Sequence, residues 1–408
     1  MLINISLPAD VTYILNKLDE HGFAGYIVGG CVRDILLNKE PVDWDITTNA
    51  QPDQVKQLFP KSIDTGIKHG TVTVFINGKQ YEITTFRQSD YRQSDNILLL
   101  KGDLSRRDFT INAMAYNHQR GLVDYFNGVK DLKEGIINAV GDPEKRFQED
   151  ALRMVRAIRL ACQLDFEIAP KTFAAITRNH QLLKSISTER IRDEFCKILL
   201  IEQPGRGIQM LYSTLLMDFI LPELTCIDLD HTLAVIGATP KDLTVRLAAL
   251  FLDIDKPQER AKIARNALKR LKFSNKTIDA IYRLLQEFKL PDYSDEVSIK
   301  RFINRVGQEN LQSFFELQLA VIKACKPPHG FSAVDALKEQ VYKIIKEKQP
   351  LTIKDLAVNG YDLIKIGIQP GVQMGQILNY LLEKVLTKPE LNTKENLLNI
   401  VLSEKHNV

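Results

Sequence analysis

Cysteine, histidine and tryptophan are all sparse in this chain, with five, seven and one in 408 residues. Cys31, Cys162, Cys196, Cys226 and Cys325 are odd in number and far apart. That spacing fits neither a disulfide framework nor a zinc knuckle, so reduced, mostly buried thiols are expected. No apolar run reaches the roughly 18 residues that a spanning helix needs. The first twenty residues, MLINISLPADVTYILNKLDE, have neither a basic segment leading into a long apolar stretch nor a small-residue cleavage site. Neither secretion nor a membrane is expected, and a cytoplasmic location is. A dominant charge is missing too: 54 Lys and Arg nearly balance 51 Asp and Glu, leaving +3 and a pI near 8.4. That balance permits a nucleic-acid partner without arguing for one. Short-period repeats and low-complexity segments are also absent.

What is present is enough apolar material for real cores, 44% of the chain, in a length that suits two to four domains. Val11, Ile14, Leu15 and Leu18 recur at helical spacing after Pro8, predicting a helix over 9–21. AGYIVGGCVRDILL then reads as strand, Gly-Gly turn and helix, VDWDITTNA as a strand, and QPDQVKQLF as a helix opened by Pro52. In GTVTVFINGKQYEITTFR, Asn77-Gly78 separates two β-branched runs, the strongest short signal for a hairpin. One more strand pair around GLVDYFNGVKDLKEGIINAV completes the N-terminal domain near residue 140. Beyond it helical periodicity dominates, roughly over 147–164, 171–179, 188–201, 206–213, 242–252, 258–270, 276–288, 297–304, 308–324, 332–348 and 373–387. Breaks are expected at Pro204-Gly205, Pro291-Asp292-Tyr293 and Pro327-Pro328-His329-Gly330. The expected class is α+β: a head with a mixed sheet and flanking helices, then an all-helical remainder.

Several constellations could carry chemistry. Asp43 and Asp45 flank Trp44 in a predicted strand, so both carboxylates face one side, an arrangement able to share Mg²⁺ in two-metal phosphoryl transfer. An Asp-x-Asp pattern also occurs at solvated strand ends. Gly29 and Gly30 lie between strand and helix, where bare backbone N–H groups suit a triphosphate or simply a tight turn. Arg33 in the following helix could grip phosphate or ribose, with Asp34 orienting it. Glu82 on the second hairpin strand is either solvent-facing or the partner of Asp43 and Asp45, as metal ligand or as base for a primer 3′ hydroxyl.

Arg106, Arg107 and Asp108 precede an apolar run read as a helix capped by Ser105 or Asp103. Their guanidinium groups suit a triphosphate, and salt bridging is the alternative. In RFQEDALRMVRAIRLACQLDF, Asp150, Arg153 and Arg156 share a helix face and Arg159 follows. An acid with an arginine there can read the Watson–Crick edge of a base, although ion pairing on a solvated helix is the commoner use. STERIRDEFCKILL, with Ser187 as N-cap, is expected to brace that helix by ion pairs.

The segments VGGCVRDILLNKEPVDWDITTNA, SRRDFTINAMAY, RFQEDALRMVRAIRLACQL and STERIRDEFCKILL resemble, in order and spacing, the motifs of the bacterial class II tRNA nucleotidyltransferases (CCA-adding enzymes) and their poly(A) polymerase relatives. The likeness is motif by motif over roughly 20–210 and more diffuse beyond, where IKDLAVNGYDLIKIGIQPGVQMGQILNYLLEKVL looks like the family's tail. It implies that Asp43 and Asp45 hold catalytic Mg²⁺ and that Arg106, Arg107 and Asp108 serve the nucleotide's sugar and triphosphate. It further implies that Asp150 with Arg153 selects CTP and then ATP, and that tRNA is the acceptor. The division expected is 1–140 head, 141–210 neck for base recognition, 211–326 body and 327–408 tail for tRNA. Poly(A) synthesis, CC-only addition and non-catalytic tRNA binding stand as alternatives, and a homo-oligomer is left open.

Longer relatives carry a phosphohydrolase module marked by His-Asp pairs. Here Leu252 precedes Asp253 and only His231 is near, so 215–290 is read as a helical scaffold, a degenerate copy of that module being one origin for it, without hydrolase activity. Two basic stretches could meet RNA phosphates, Lys262, Arg265, Lys269, Arg270, Lys272 and Lys276, and Lys323, Lys326, Lys338, Lys343, Lys346 and Lys348.

Overall fold

The computed structural model describes residues 5–66, 70–86, 95–292, 295–325 and 330–404, in two compact units. The first comprises 1–201 with 206–220, and the second 202–205 with 221–408. The expected α+β architecture is observed: a mixed sheet with flanking helices, then helices throughout. No helix among the described residues is long and apolar enough to cross a membrane. Lys326, Tyr293 and the expected break at 327–329 lie outside the described residues.

The first unit opens with α1 (Ala9–Glu20), β1 (Gly25–Val28), α2 (Gly30–Leu36), β2 (Asp45–Thr48), α3 (Pro52–Leu58), β3 (Ser62–Gly66), β4 (Thr71–Ile76) and β5 (Lys79–Thr85). Val11, Ile14, Leu15 and Leu18 of α1 are wholly buried, as their spacing requires. Asn77 and Gly78 both take positive φ, 49° and 79°, the backbone of a type I′ turn, and β4 pairs with β5 as the hairpin expected. There follow α4 (Asn96–Ser105), β6 (Met114–Asn117), β7 (Gly121–Asp124), α5 (Gly128–Glu134) and β8 (Ile136–Ile137). Then come α6 (Pro143–Glu149), α7 (Leu152–Leu164), β9 (Glu167–Ile168), α8 (Pro170–Asn179), α9 (Thr188–Leu199) and α10 (Pro204–Ser213).

Seven strands form one sheet in the order β3-β4-β5-β2-β1-β6-β7, every pair antiparallel except β2 with β5. On one face Leu99, Leu100 and Leu104 of α4 pack against Tyr26, Val28, Phe86 and Ala115. That contact, burying several large apolar side chains at roughly 1.5–3 kcal/mol each, delivers the end of α4 to the edge of β1.

Three local expectations are corrected. The run after Arg107 is not a helix; the helix is α4, before it, capped by Asp95, whose carboxylate accepts the Ile97 N–H at 2.8 Å. Arg106 is its C-cap, Ser105 only donates back to the Gly102 carbonyl, and Thr110–Asn112 is a single 3-10 turn leading into β6. Residues 108–117 are buried on every side, so they carry no amphipathic period to separate strand from helix.

The helix expected over 147–164 is broken at Asp150, which is extended (φ −154°, ψ 101°) and accepts the Leu152 N–H with its own carboxylate. A short acidic side chain competes with the helical ladder in just this way. The segment after β7 forms α5, begun by Asp124, whose carboxylate accepts from the N–H groups of Phe126, Gly128 and Val129. Only the short β8 follows, paired in parallel with β9 outside the main sheet.

The second unit is all helical: after α11 (Met217–Ile220), which belongs to the first unit, it runs α12 (Leu229–Ala238), α13 (Leu243–Leu250), α14 (Arg260–Arg270), α15 (Asn275–Gln286) and α16 (Glu296–Val306). It continues with α17 (Leu311–Cys325), α18 (Gly330–Lys346), α19 (Gly360–Lys365), α20 (Val372–Thr387) and α21 (Lys394–Glu404). Phe302, Phe314 and Phe315 are fully buried in edge-to-face contact, at 4.8 and 5.6 Å between successive centroids.

Two glycines in the first unit separate packing from propensity. A Cβ on Gly128 would collide with the Thr110 carbonyl oxygen and lie 2.8 Å from Met114 Cγ, whereas one on Gly102, within α4, meets nothing within 4 Å. Gly128→Ala is expected to lower stability by about 1–3 kcal/mol. Gly102→Ala is expected to raise it by up to about 1 kcal/mol. Denaturant unfolding followed by circular dichroism checks both, and equal effects would contradict the packing described.

Candidate active site

The parallel pairing of β2 with β5 sets Asp45 directly across from Glu82. Partners in register on adjacent strands share a face, so the two carboxylates stand side by side. Asp43 sits two residues earlier, just before the strand begins, and is exposed. Asp45 is exposed as a residue, but desolvation of its carboxyl pushes it up; Arg107 counters this and the Asp43 charge adds to it. Glu82, likewise exposed as a residue, is raised by desolvation of its carboxyl, reinforced by the charges of Asp45 and then Asp43. The edge therefore carries negative charge that the protein only partly compensates.

The opposite wall is cationic. Gly29, at φ 80°, leaves β1 in a conformation that side chains rarely adopt, and a Cβ there would lie 2.8 Å from Arg107 Nη1 and 3.9 Å from Asp45 Oδ2. The bare turn is thus what lets Arg107 reach the carboxylates. Arg107 also pairs with the buried Asp103 at 3.5 Å, and its own buried Nε has no hydrogen-bond partner among the described residues. Arg106, at the end of α4, offers its carbonyl to Arg153 Nη2 at 2.8 Å.

Asp108 is buried and holds Arg156, accepting from Nε at 2.9 Å and Nη2 at 2.7 Å. Burial alone would raise its carboxyl. The Arg156 charge and hydrogen bond, with those of Asn112 and the Phe109 N–H, outweigh that and hold it below the ordinary value. Asn112 also accepts from Arg33 Nη1 at 2.8 Å, and Arg33 Nε and Nη2 both donate to Asp34. The chain Arg33–Asn112–Asp108–Arg156 is a continuous brace, buried from Arg33 to Asp108 and half-buried at Arg156.

A cavity of about 310 Å³ lies between the two walls. Asp45, Glu82, Arg106, Arg107, Asp108, Asp150, Arg153 and Arg156 all line it. Gly29, Gly30, Asp43, Arg33 and Arg159 do not. Arg33 lies beneath, within the brace, and Arg159 turns to Glu194 and Gln163 at 2.6 and 2.8 Å. Asp150 and Arg153, expected as partners on one helix face, are separated by the break: Asp150 accepts from Arg190 of α9 at 2.8 Å, while Arg153 binds Glu149 and the Arg146 carbonyl. Ion pairs from α9 to α7 and Asp150 are thus present, as expected, although the Ser187 side chain makes no cap bond.

Arg190, Asp103, Thr71 and Thr84, with the apolar Val28 and Ile46, complete the lining and are not among the site residues expected from the sequence. Arg190 was legible only as a brace, because nothing in STERIRDEF marks which arginine bends toward Asp150. A larger cavity of about 830 Å³ in the same unit, beside Trp44, Ile35 and Leu132, contains none of the expected site residues. It lacks the convergent charge that chemistry on a polyphosphate needs.

Among the described residues, no three His, Cys, Asp or Glu side chains gather closely enough to enclose a metal alone. The open carboxylate edge at Asp43, Asp45 and Glu82 still suits a hard cation, which takes one or two carboxylates and completes its shell with water and phosphate oxygens. The raised carboxyls of Asp45 and Glu82 are what such a charge would relieve. In the second unit, Arg265 and Arg270 are engaged, with Asp279 and the Tyr282 ring and with Glu223, whereas Lys262, Lys269, Lys276, Lys343, Lys346 and Lys348 are exposed.

Comparison with known proteins converges on one family. Residues 25–138 match a model described as the poly(A) polymerase head domain, 165–227 one for an RNA- and SrmB-binding site of polymerase A, and 244–401 one for tRNA nucleotidyltransferase domain 2. The CCA-adding enzyme of Lactobacillus delbrueckii subsp. bulgaricus is 40% identical over 384 residues, 92% of each chain. That of Pediococcus pentosaceus is 38% identical over 412 residues, covering 96% of this chain and 97% of its own. Among solved structures, the Bacillus stearothermophilus CCA-adding enzyme in complex with CTP superposes with a TM-score of 0.74 at 31% identity, over 97% of this chain and 98% of that one.

The Asp108 brace makes a pH-dependent prediction. A carboxyl held below its usual 3.8 contributes stability that is complete above that value and is lost as pH falls through the lower folded value. Asp108→Asn is expected to cost about 1–3 kcal/mol at neutral pH and to lose less further stability than the parent between pH 4 and 2. Urea unfolding across that range checks it; parallel pH curves would contradict the brace.

Proposed function

Because the chain belongs to the bacterial class II CCA-adding enzymes, the tRNA nucleotidyltransferase and poly(A) polymerase family, we propose that it adds CCA to the 3′ end of tRNA from CTP and ATP, releasing pyrophosphate. The observation that carries this reading is the cavity in which Asp45 and Glu82 face Arg106, Arg107, Arg153 and Arg156. Polyphosphate chemistry needs both walls: acids where cations sit, guanidinium forks where negative charge develops.

In this reading Asp43 and Asp45 hold Mg²⁺, with Glu82 as a third acid that ligates or takes the proton. When bound, Mg²⁺ lowers the pKa of a coordinated hydroxyl and offsets charge on the phosphates. The tRNA 3′ oxygen attacks the α-phosphorus; the new O–P bond forms as the bond to the β-phosphate oxygen breaks. Arg106 and Arg107, both lining the cavity, hold the leaving pyrophosphate. Gly29 and Gly30 keep the approach clear. Asp150 and Arg153 read the base edge, an acid accepting from the exocyclic amine shared by cytosine and adenine and an arginine donating to ring nitrogen or carbonyl. Arg156, Asp108, Arg159 and Arg33 keep that pair and the arginine wall in place.

The four-part division expected from the sequence is retained as head 1–140, neck 141–210, body 211–326 and tail 327–408, with the exposed lysines of body and tail gripping tRNA phosphates. The location is cytoplasmic, and every residue assigned comes from one chain, whether or not copies associate.

A tRNA transcript lacking its last three nucleotides, incubated with Mg²⁺ and CTP, ATP or both, tests the reading. Two additions with CTP and a third only with ATP are expected. A lengthening A ladder would indicate poly(A) synthesis, arrest after CC a CC-adding enzyme, and binding without product a non-catalytic role. In the same assay Asp43→Ala and Asp45→Ala are expected to lower the rate by about 10³-fold or more, in the range of lost transition-state charge stabilisation. Arg153→Ala is expected to blur the choice among nucleotides more than it slows addition.

A further inference from the structure

The helical unit holds a second set of matched side chains that nucleotidyl transfer leaves unused. His231 is the third residue of α12, where Asp228 caps the helix by accepting its backbone N–H at 3.0 Å. Its Nδ1 lies 2.7 Å from Asp253 Oδ1, and its Nε2 lies 3.2 Å from Sγ of Cys325, the last residue of α17. The other Asp253 oxygen accepts from Thr232 Oγ1 at 2.5 Å, and Arg260 lies within electrostatic reach of the same carboxylate. With both oxygens engaged and its side chain 14% exposed, Asp253 has little freedom to turn away.

A carboxylate that accepts from Nδ1–H fixes the imidazole tautomer whose Nε2 is the basic atom. That atom faces the thiol. Cys325 is exposed, so a reagent can reach it from solvent. The contrast within the chain is sharp: burial pushes the thiols of Cys31, Cys162 and Cys196 up to about 11, while Cys226 is exposed like Cys325. Access from solvent and a base in hydrogen-bond reach together favour thiol reactivity, and Cys325 has both.

We propose that Cys325 is a reactive thiol activated by His231 and Asp253, and that it is a modification site for low-molecular-weight disulfides. In the exchange, His231 Nε2 takes the Cys325 proton and the thiolate attacks one sulfur of the small disulfide. The S–S bond of the reagent breaks as the Sγ–S bond forms, and the departing thiolate takes the proton from His231. Thiol and disulfide are consumed and mixed disulfide and thiol are produced, so no outside oxidant is required. Three segments far apart in sequence meet here, and the residue that would have completed a His-Asp metal pair, Asp253, instead orients an imidazole.

The test uses the full-length protein with oxidised glutathione and, separately, iodoacetamide, following each cysteine by peptide mass spectrometry over time. Cys325 is expected to react about tenfold or more faster than Cys226 with both reagents at neutral pH. His231→Gln is expected to bring Cys325 down to the Cys226 rate without changing Cys226, and Asp253→Asn to slow it in the same direction. Cys226 serves as the internal control, since loss of fold would speed it and expose the buried thiols. Equal rates at Cys325 and Cys226 in the parent protein would overturn the proposal whatever the variants do. So would a Cys325 rate unmoved by both substitutions in folded protein.

Discussion

The site depends on one register. In a sheet otherwise antiparallel throughout, β2 and β5 run parallel with Asp45 opposite Glu82, and that pairing puts two carboxylates side by side at the sheet's end. Desolvation raises both carboxyls, and neighbouring carboxylates add to it, Asp43 at Asp45 and then Asp45 and Asp43 at Glu82. A one-residue slip would send Glu82 to the other face. The slip is resisted by Tyr81, Ile83 and Thr85, all buried on the alternate side, and by the Asn77-Gly78 turn that fixes the hairpin.

Compensation comes from a second layer. The apolar contact of α4 with the sheet brings Arg106 and Arg107 to the carboxylates, and the turn at Gly29 leaves room for Arg107 to arrive. Behind them, Arg33, Asn112, Asp108 and Arg156 link α2, the segment before β6, and α7 by hydrogen bonds that are buried as far as Asp108 and part-buried at Arg156. Buried polar networks of this kind are costly unless every member is satisfied. Asp108 is satisfied on both oxygens, so it serves as an anchor for the arginine wall rather than as a contact for sugar alone. The break at Asp150 places its carboxylate outside the helical ladder, where Arg190 holds it toward the cavity.

Much of this was legible before coordinates. The period of α1 and the Asn77-Gly78 hairpin are local signals that reflect constraints acting within a few residues, whereas of the expected Asp-x-Asp strand only Asp45 lies in β2 and Asp43 precedes it. Most of the acids and arginines lining the cavity, Asp103 and Arg190 excepted, are legible because charged residues amid β-branched or apolar runs need partners. What escaped has a common cause in nonlocal packing. The segment 108–117 is buried on all sides and so has no period to read. Arg33 reads from the sequence as a grip for phosphate or ribose oriented by Asp34, and that contact is present, but its other partner, Asn112, lies 79 residues away. His231, Asp253 and Cys325 were scattered residues in a string and a cluster only in space.

The central claim, that the β2–β5 register builds a cation-holding carboxylate edge, can be read directly at Trp44, the single tryptophan, which sits between Asp43 and Asp45. Mn²⁺ is paramagnetic and stands in for Mg²⁺, so its binding at that edge quenches Trp44 fluorescence. Titration of the parent protein and of Asp45→Asn and Glu82→Gln is the measurement. The account expects saturable quenching in the parent that weakens by about tenfold or more in affinity with Asp45→Asn, the loss of roughly 1.4 kcal/mol or more, and weakens to a smaller degree with Glu82→Gln. Quenching that is unsaturable, or unchanged by Asp45→Asn, would contradict it.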